Sequence, residues 1–293
     1  MVNTYILMDN WKLPDIKATQ ELLIESSYLL QTGGAPKISC LTATYNRLTQ
    51  LKQAILCFCK QSYPNKELII IAEGTPIYKA SVARYINELG RTDIFIEFLT
   101  DRNYTLGEVR NIAIDRATGD IICQWDDDDQ YHPDRLLCQS IYMMQQKADV
   151  CYLTDQLHYF TYNRVIVWED WTYGGHTQGE WQLIPGTLMM YKDQKYSYPE
   201  VGENALKGED SLFLRSLYND KDIARLSGAG VLYLYTCHGR NTFSNEHHEG
   251  QKGTSFPLAF VREYYHHLLK HIVSYNLLRP CKIITGEGNA FTL

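Results

Sequence analysis

The sequence predicts an α/β protein built on a doubly wound, mostly parallel sheet, and three observations lead there. Apolar runs of strand length alternate with amphipathic helical stretches through the first half of the chain. Those runs are continuous rather than alternating, as in strands buried on both faces. Past residue 149 the pattern changes to short strands and turns rich in Trp and Tyr, so a mixed-sheet second half is expected. The 293 residues, 45% hydrophobic and 21% charged, suffice for a full core and match an ordinary soluble chain.

Residues 1–36 read as an N-terminal extension, with a helical stretch over 16–30 closed by the breaker Gly33-Gly34-Ala35-Pro36. Residues 37–44 form the first buried strand. A helix over 47–61 follows, with Leu48, Leu51, Ile55, Phe58 and Cys59 on one side. A strand over 67–72, a helix over 77–89 and a strand over 94–99 continue the alternation. The next helix, 107–117, turns Val109, Ile112, Ala113 and Ala117 inward, and the fourth strand spans 120–125. Pro133 then opens a helix that runs to residue 146. Strand–helix alternation of this kind implies right-handed crossovers. Beyond it come short strands at 150–153, 165–168 and 188–191, with helical patterns at 211–217 and 257–273. The expected division is an extension over 1–36, a main domain over 37–245 with halves at 37–138 and 139–245, and a C-terminal helical extension over 246–293.

Charge and cysteine usage exclude several classes. A net charge of −6 leaves no basic block to neutralise phosphates, which argues against nucleic-acid binding. Of eight scattered cysteines only Cys57 and Cys59 are near neighbours, so they read as buried thiols in a reducing compartment. The first residues lack the basic region of a signal peptide, and no apolar run approaches membrane-spanning length. A soluble, cytoplasmic location is expected, with peripheral membrane association left open.

Four consecutive aspartates, Asp126 to Asp129, follow the fourth strand. Carboxylates crowded at a strand end repel one another and lose hydration, so a fold that keeps them there needs compensation. Mg2+ or Mn2+ carrying a phosphorylated ligand supplies it, because these cations prefer oxygen donors. Most charge runs are merely solvated turns. The strand exit argues otherwise here, since open α/β sheets bind their ligands at that edge. In an extended segment Asp126 and Asp128 share one face, and Asp127 and Asp129 the other.

The stretch Ile38-Ser39-Cys40-Leu41-Thr42-Ala43-Thr44-Tyr45-Asn46-Arg47 resembles the opening strand and loop of family 2 glycosyltransferases, which have the GT-A fold. Gln61 to Pro64, Glu67 to Ile71, Arg110-Asn111, Ala117 to Asp120, the aspartates and Pro133 to Leu136 continue the likeness in order and spacing. It covers residues 37–138, and more loosely extends to about 245. The resemblance implies a nucleotide-sugar half over 37–138 fused to a mixed-sheet acceptor half over 139–245. It also implies non-processive inverting transfer from a nucleotide-sugar, a UDP-sugar by preference, with Mn2+ or Mg2+.

The same resemblance assigns residues. Ala43, Tyr45 and Arg47 fall on the nucleotide, with Tyr45 against the base. Glu73 stands where a carboxylate accepts a hydrogen bond from the base N–H, although Ala72-Glu73 replaces the family's aspartate pair. Arg110 pairs with the aspartate loop or the pyrophosphate, or is a solvated helix residue. Asp128 becomes the direct metal ligand, with Asp126 or Asp127 toward ribose or a metal-bound water. Asp126 is a second candidate metal ligand. His238 closes over metal and diphosphate with Arg240 beside it, while His247 and His248 are expected in solvent. Asp210 is the general base and Glu209 its neighbour, unless the pair only caps a helix.

The acceptor is left open among a glycan, a lipid-linked sugar and other molecules. Trp168, Trp171, Tyr173, Gly174, Gly175 and Trp181 would form a sugar platform or simply fill the core. Two other classes compete: a nucleotidyltransferase that makes nucleotide-sugars, and a catalytically dead binding module of the same fold. The first normally shows a Gly-rich basic loop after the first strand, where this chain has Thr44 to Arg47.

Overall fold

Order in the first half follows from local signals that agree with the hydrophobic pattern. The computed structural model describes residues 34–100, 103–172, 182–239, 241, 245–250 and 255–293. The helix expected over 16–30 lies outside them. β1 (Ile38–Tyr45) leads into α1 (Leu48–Cys59), β2 (Lys66–Glu73), α2 (Pro76–Leu89) and β3 (Ile94–Phe98). α3 (Leu106–Arg116), β4 (Ile121–Gln124), β5 (Gln130–Tyr131) and α4 (Arg135–Gln145) follow. Thr75 caps α2 by accepting from Tyr78 N–H, with Pro76 in the first turn and left-handed Gly90 closing the helix. Thr105 and Glu108 form a reciprocal capping box on α3. Gly107 in that helix packs so close to the Pro199 carbonyl that a side chain would collide with it.

The second half contributes β6 (Val150–Leu153), β7 (Asp155–Phe160), β8 (Val165–Asp170), β9 (Met189–Tyr191), α5 (Glu209–Leu217), β10 (Ile223–Leu226) and β11 (Tyr233–Cys237). After these come α6 (Asn245–Gly250), α7 (Leu258–Glu263), α8 (Tyr265–Ile272), β12 (Lys282–Ile284) and β13 (Ala290–Thr292). Among the described residues the first sheet runs β10-β6-β9-β4-β1-β2-β3, parallel except for β9. Leu68, Ile70 and Ala72 of β2 face the side of α1, α2 and α4, while Ile69 and Ile71 face α3 and α5. Helices on both faces explain the continuous apolar runs. The expected doubly wound half is present.

A second, mixed sheet runs β13-β12-β8-β7-β11-β5. Leu157, Tyr159, Ile166 and Trp168 pack under Phe256 and Phe260 of the α7 region and Leu268 and Ile272 of α8. Two expectations are corrected here. The helix read over 257–273 is broken at Tyr264 (φ −98, ψ 15). The segment over 246–293 is not only helical, because β12 pairs with β8 and with β13 and so completes the second sheet. All eight cysteines are free thiols, seven of them buried. No helix among the described residues is long and apolar enough to cross a membrane.

Candidate active site

The carboxyl ends of β1, β2 and β4 open into a cavity of about 1150 Å3. Parallel register sets Tyr45 opposite Glu73, and both line the cavity together with Ala43. Asn46 (φ 53) and Gly74 (φ 137) turn the two loops toward each other, and Thr75 N–H donates to Asn46 Oδ1 at 2.9 Å. The Tyr45 ring is 64% exposed. An aromatic face left open on a cavity wall suits a flat partner.

The aspartates do not alternate as an extended segment would, because the chain turns at Asp127 and Asp128. Asp126 Oδ1 pairs with Arg110 Nη2 at 3.0 Å, and its Oδ2 accepts from Gln124 Nε2 at 2.8 Å. Arg47 Nη1 reaches both Asp127 Oδ1 (3.1 Å) and Asp128 Oδ2 (2.6 Å). Asp128 Oδ2 also lies 3.1 Å from His238 Nε2. Asp129 is fully committed to structure: it accepts from the Tyr233 hydroxyl and from Thr236 N–H. Burial and the Asp128 charge push Asp127 up to about 7. Burial acts on Asp128 in the same direction, yet the His238 contact and the Arg47 charge hold it below the ordinary carboxylate range. Behind the loop, the buried Arg135 guanidinium lies against the rings of Tyr131, Tyr233 and Trp125 at 4.7, 5.3 and 5.5 Å.

A cation has suitable donors here. Asp128 and His238 converge on one point, and Asp127 Oδ2 is buried without a hydrogen-bond partner. Carboxylate oxygen with imidazole nitrogen suits Mn2+. Among the described residues no group of three or more His, Cys, Asp or Glu side chains is arranged to hold a metal ion. Asp126, with both oxygens engaged elsewhere, is not gathered with Asp128 and His238 as the sequence suggested.

Across the cavity, Gly208 adopts the left-handed conformation (φ 79, ψ 18) and starts α5 without a side-chain cap. Glu209 and Asp210 thus occupy the first turn, where the helix dipole favours negative charge. Arg110 Nε holds Glu209 Oε1 at 2.9 Å, so this buried arginine joins the acidic pair to the aspartate loop and is no solvated helix residue. Asp210 Oδ1 accepts from Ser211 N–H at 2.7 Å. Burial first, then the Glu209 charge, pushes Asp210 up to about 6 against the pull of Arg110.

Ala43, Tyr45, Arg47, Glu73, Arg110, Asp126 to Asp128, Glu209 and Asp210, all named from sequence, line the same cavity, and His238 is joined to it through Asp128. Arg240, Tyr173, Gly174, Gly175 and Trp181 lie outside the described residues. His247 is exposed as expected, but His248 is buried against the Tyr235 hydroxyl at 3.3 Å, which corrects its assignment to solvent. Trp168 is core, packed on Phe256 and Phe260 with its Nε1–H donated to Asp155, whereas Trp171 lines the cavity. Sequence reasoning missed the part of Asp129, Gln156 and His158. Only the polar letters within the segment over 155–160 hinted at the last two.

Residues 39–206, more than half of the chain, match the family described as Glycosyl transferase family 2. The chain belongs to that family. Among family relatives, it is 35% identical over 111 residues to an uncharacterized glycosyltransferase of Haemophilus influenzae. That match covers 38% of this chain and 43% of the relative, so the chain spans less than half of that protein's length. S. aureus TarS 1–349 in complex with UDP-GlcNAc superposes with a TM-score of 0.56 at 18% identity, covering 82% of this chain and 73% of that TarS fragment. The mannosyltransferase PcManGT of Pyrobaculum calidifontis, in complex with GDP-Man and Mn2+, gives 0.50 at 12% identity over 88% and 73%. Likeness at such identities is one of fold, and the family 2 chain has the GT-A-like fold expected of it.

Proposed function

We propose that the chain is an inverting glycosyltransferase that moves a sugar from a nucleotide-sugar, with UDP as the nucleotide, to an acceptor hydroxyl. One observation carries the reading: an aspartate loop fit for a diphosphate and a carboxyl raised to about 6 face the same cavity, tied together by Arg110. Tyr45 stacks on the base and Glu73 accepts its N–H. Asp128 and His238 would hold Mn2+ or Mg2+, which when bound would supply positive charge beside the leaving diphosphate. Asp210 removes the acceptor proton as the acceptor oxygen bonds to the anomeric carbon. The bond to the diphosphate oxygen breaks, UDP leaves, and attack from the opposite face inverts the centre. A Gly-rich basic loop for nucleotidyl transfer is lacking between Thr44 and Arg47, and Arg47 is engaged with the aspartates.

A thermal-shift panel of UDP, GDP, CDP and ADP with Mn2+ tests the reading, because a ligand that binds only the native state raises Tm. UDP should give the largest rise, and UDP-sugars should release UDP. Release of a sugar 1-phosphate, or no rise with any nucleotide, would overturn it.

A further inference from the structure

The second sheet presents an unusual wall to the cavity. Gln156 and His158 sit two residues apart on β7 and so share one face, while Leu157 and Tyr159 face the C-terminal helices. Both polar residues are at most 2% exposed and both line the cavity. Glu169 of β8, itself fully buried, organises them: His158 Nδ1 lies 3.1 Å from Glu169 Oε1, and Gln156 Nε2 donates to Glu169 Oε2 at 3.3 Å. A carboxylate can only accept, so the His158 proton stands on Nδ1. What remains are His158 Nε2 and Gln156 Oε1, both buried and without a hydrogen-bond partner. A buried polar atom without a partner is costly, and a bound group that hydrogen-bonds to it offsets that cost.

Resting on the transferase reading above, we infer that Gln156 and His158 form the acceptor subsite and recognise neighbouring hydroxyls of an uncharged sugar. Gln156 Oε1 and the imidazole Nε2 are both acceptors, so each is satisfied by the proton of a sugar hydroxyl. An anionic group is disfavoured by Glu169 and by Asp155 and Asp170, all buried in this strand pair. An amine finds no open carboxylate, because both Glu169 oxygens are already used. Half-buried Trp171 also lines the cavity, its backbone N–H donated to the Thr154 carbonyl at 2.8 Å, and an indole there suits the apolar side of a sugar ring. The rings of Tyr235 and His248 lie 4.9 and 5.2 Å from the His158 ring and also line the cavity, so they border this part of the subsite.

Saturation-transfer NMR on the full chain with UDP and diamagnetic Mg2+ tests this, with methyl glycosides of glucose, galactose and N-acetylglucosamine as probes. Methyl phosphate and methylamine serve as charged controls. At least one glycoside should give a signal above both controls, reduced threefold or more in Gln156→Ala and in His158→Asn, which keeps a polar group near Glu169 but loses Nε2. Titration with UDP and Mn2+ shows whether each variant is folded, and Gln156→Ala decides the matter if His158→Asn is not. Equal glycoside signals in wild type and variants, or a stronger signal from methyl phosphate, would overturn the subsite. Failure of UDP to bind the wild type would instead overturn the transferase reading, so the two failures are distinguishable.

Discussion

In the first sheet β2 buries Leu68, Ile69, Ile70, Ile71 and Ala72, whereas β7 of the second sheet buries Asp155, Gln156 and His158 in the same extended conformation. Apolar burial needs no partner, so β2 serves as scaffold and lines the cavity only at its end, through Glu73. Every buried polar group of β7 needs a partner instead. Asp155 finds three, accepting from Trp168 Nε1 and from the N–H groups of Ala229 and Gly230, although burial and the Asp170 charge still push it up to about 7. Gln156 and His158 each keep one atom unpaired. The difference teaches that the first sheet meets the cavity only at its strand ends, while β7 of the second sheet lines it with side chains along the strand.

Substitutions in the two banks should separate these tasks. Ile70→Ala in the scaffold should lower unfolding free energy by about 3 kcal/mol, seen as a lower urea midpoint with the slope unchanged. A loss well under 1 kcal/mol would mean that the first sheet is not the rigid member. Asp210→Asn should lower kcat about a hundredfold or more, near 2.7 kcal/mol, while nucleotide affinity by calorimetry stays at the wild-type level. Because Asp210 acts ionised and sits near 6, wild-type kcat should rise from pH 5 to pH 7 and level off above. The Asn variant should lose that inflection. Near-normal turnover would move the base to Glu209.

Smaller effects probe the nucleotide bank. Asp128→Ala should weaken Mn2+-dependent UDP binding about tenfold, measured by calorimetry with and without the metal. Unchanged affinity would erase the distinction between Asp128 and the structural Asp129. Glu73→Gln should narrow the preference for UDP over CDP by only a few-fold, since a neutral amide can still hydrogen-bond the base. If both nucleotides bind as they do to the wild type, the base contact lies away from the β1–β2 edge.

This contrast also explains what could be read in the sequence. β2 and β4 were legible because burial on both faces writes a nearly continuous apolar run, and the caps at Thr75 and Thr105 agree with the strand–helix order. β7 was not, because Asp-Gln-Leu-His-Tyr-Phe satisfies neither an apolar run nor a clean alternation. β12 and β13 are three residues each and gain their meaning from β8, far away in sequence. In the site, Asp128 and Asp210 were visible through their place in motifs. The commitment of Asp129 to Tyr233 and Thr236 was not, since those partners stand more than a hundred residues away.

Arg110 makes the two banks share a single positive charge. Its Nη2 holds Asp126 and its Nε holds Glu209, a two-handed grip that a lysine, with one point charge, cannot reproduce. A phosphate that draws this guanidinium toward itself loosens Glu209 and removes a charge that keeps Asp210 acidic. Donor binding and the proton on the base then become thermodynamically linked. Reciprocity follows: whatever factor the donor adds to the proton affinity of Asp210, a proton there adds to the affinity for the donor. The enzyme would thus hold its donor most firmly while its base is still capped, and release that hold as the base becomes ready to act.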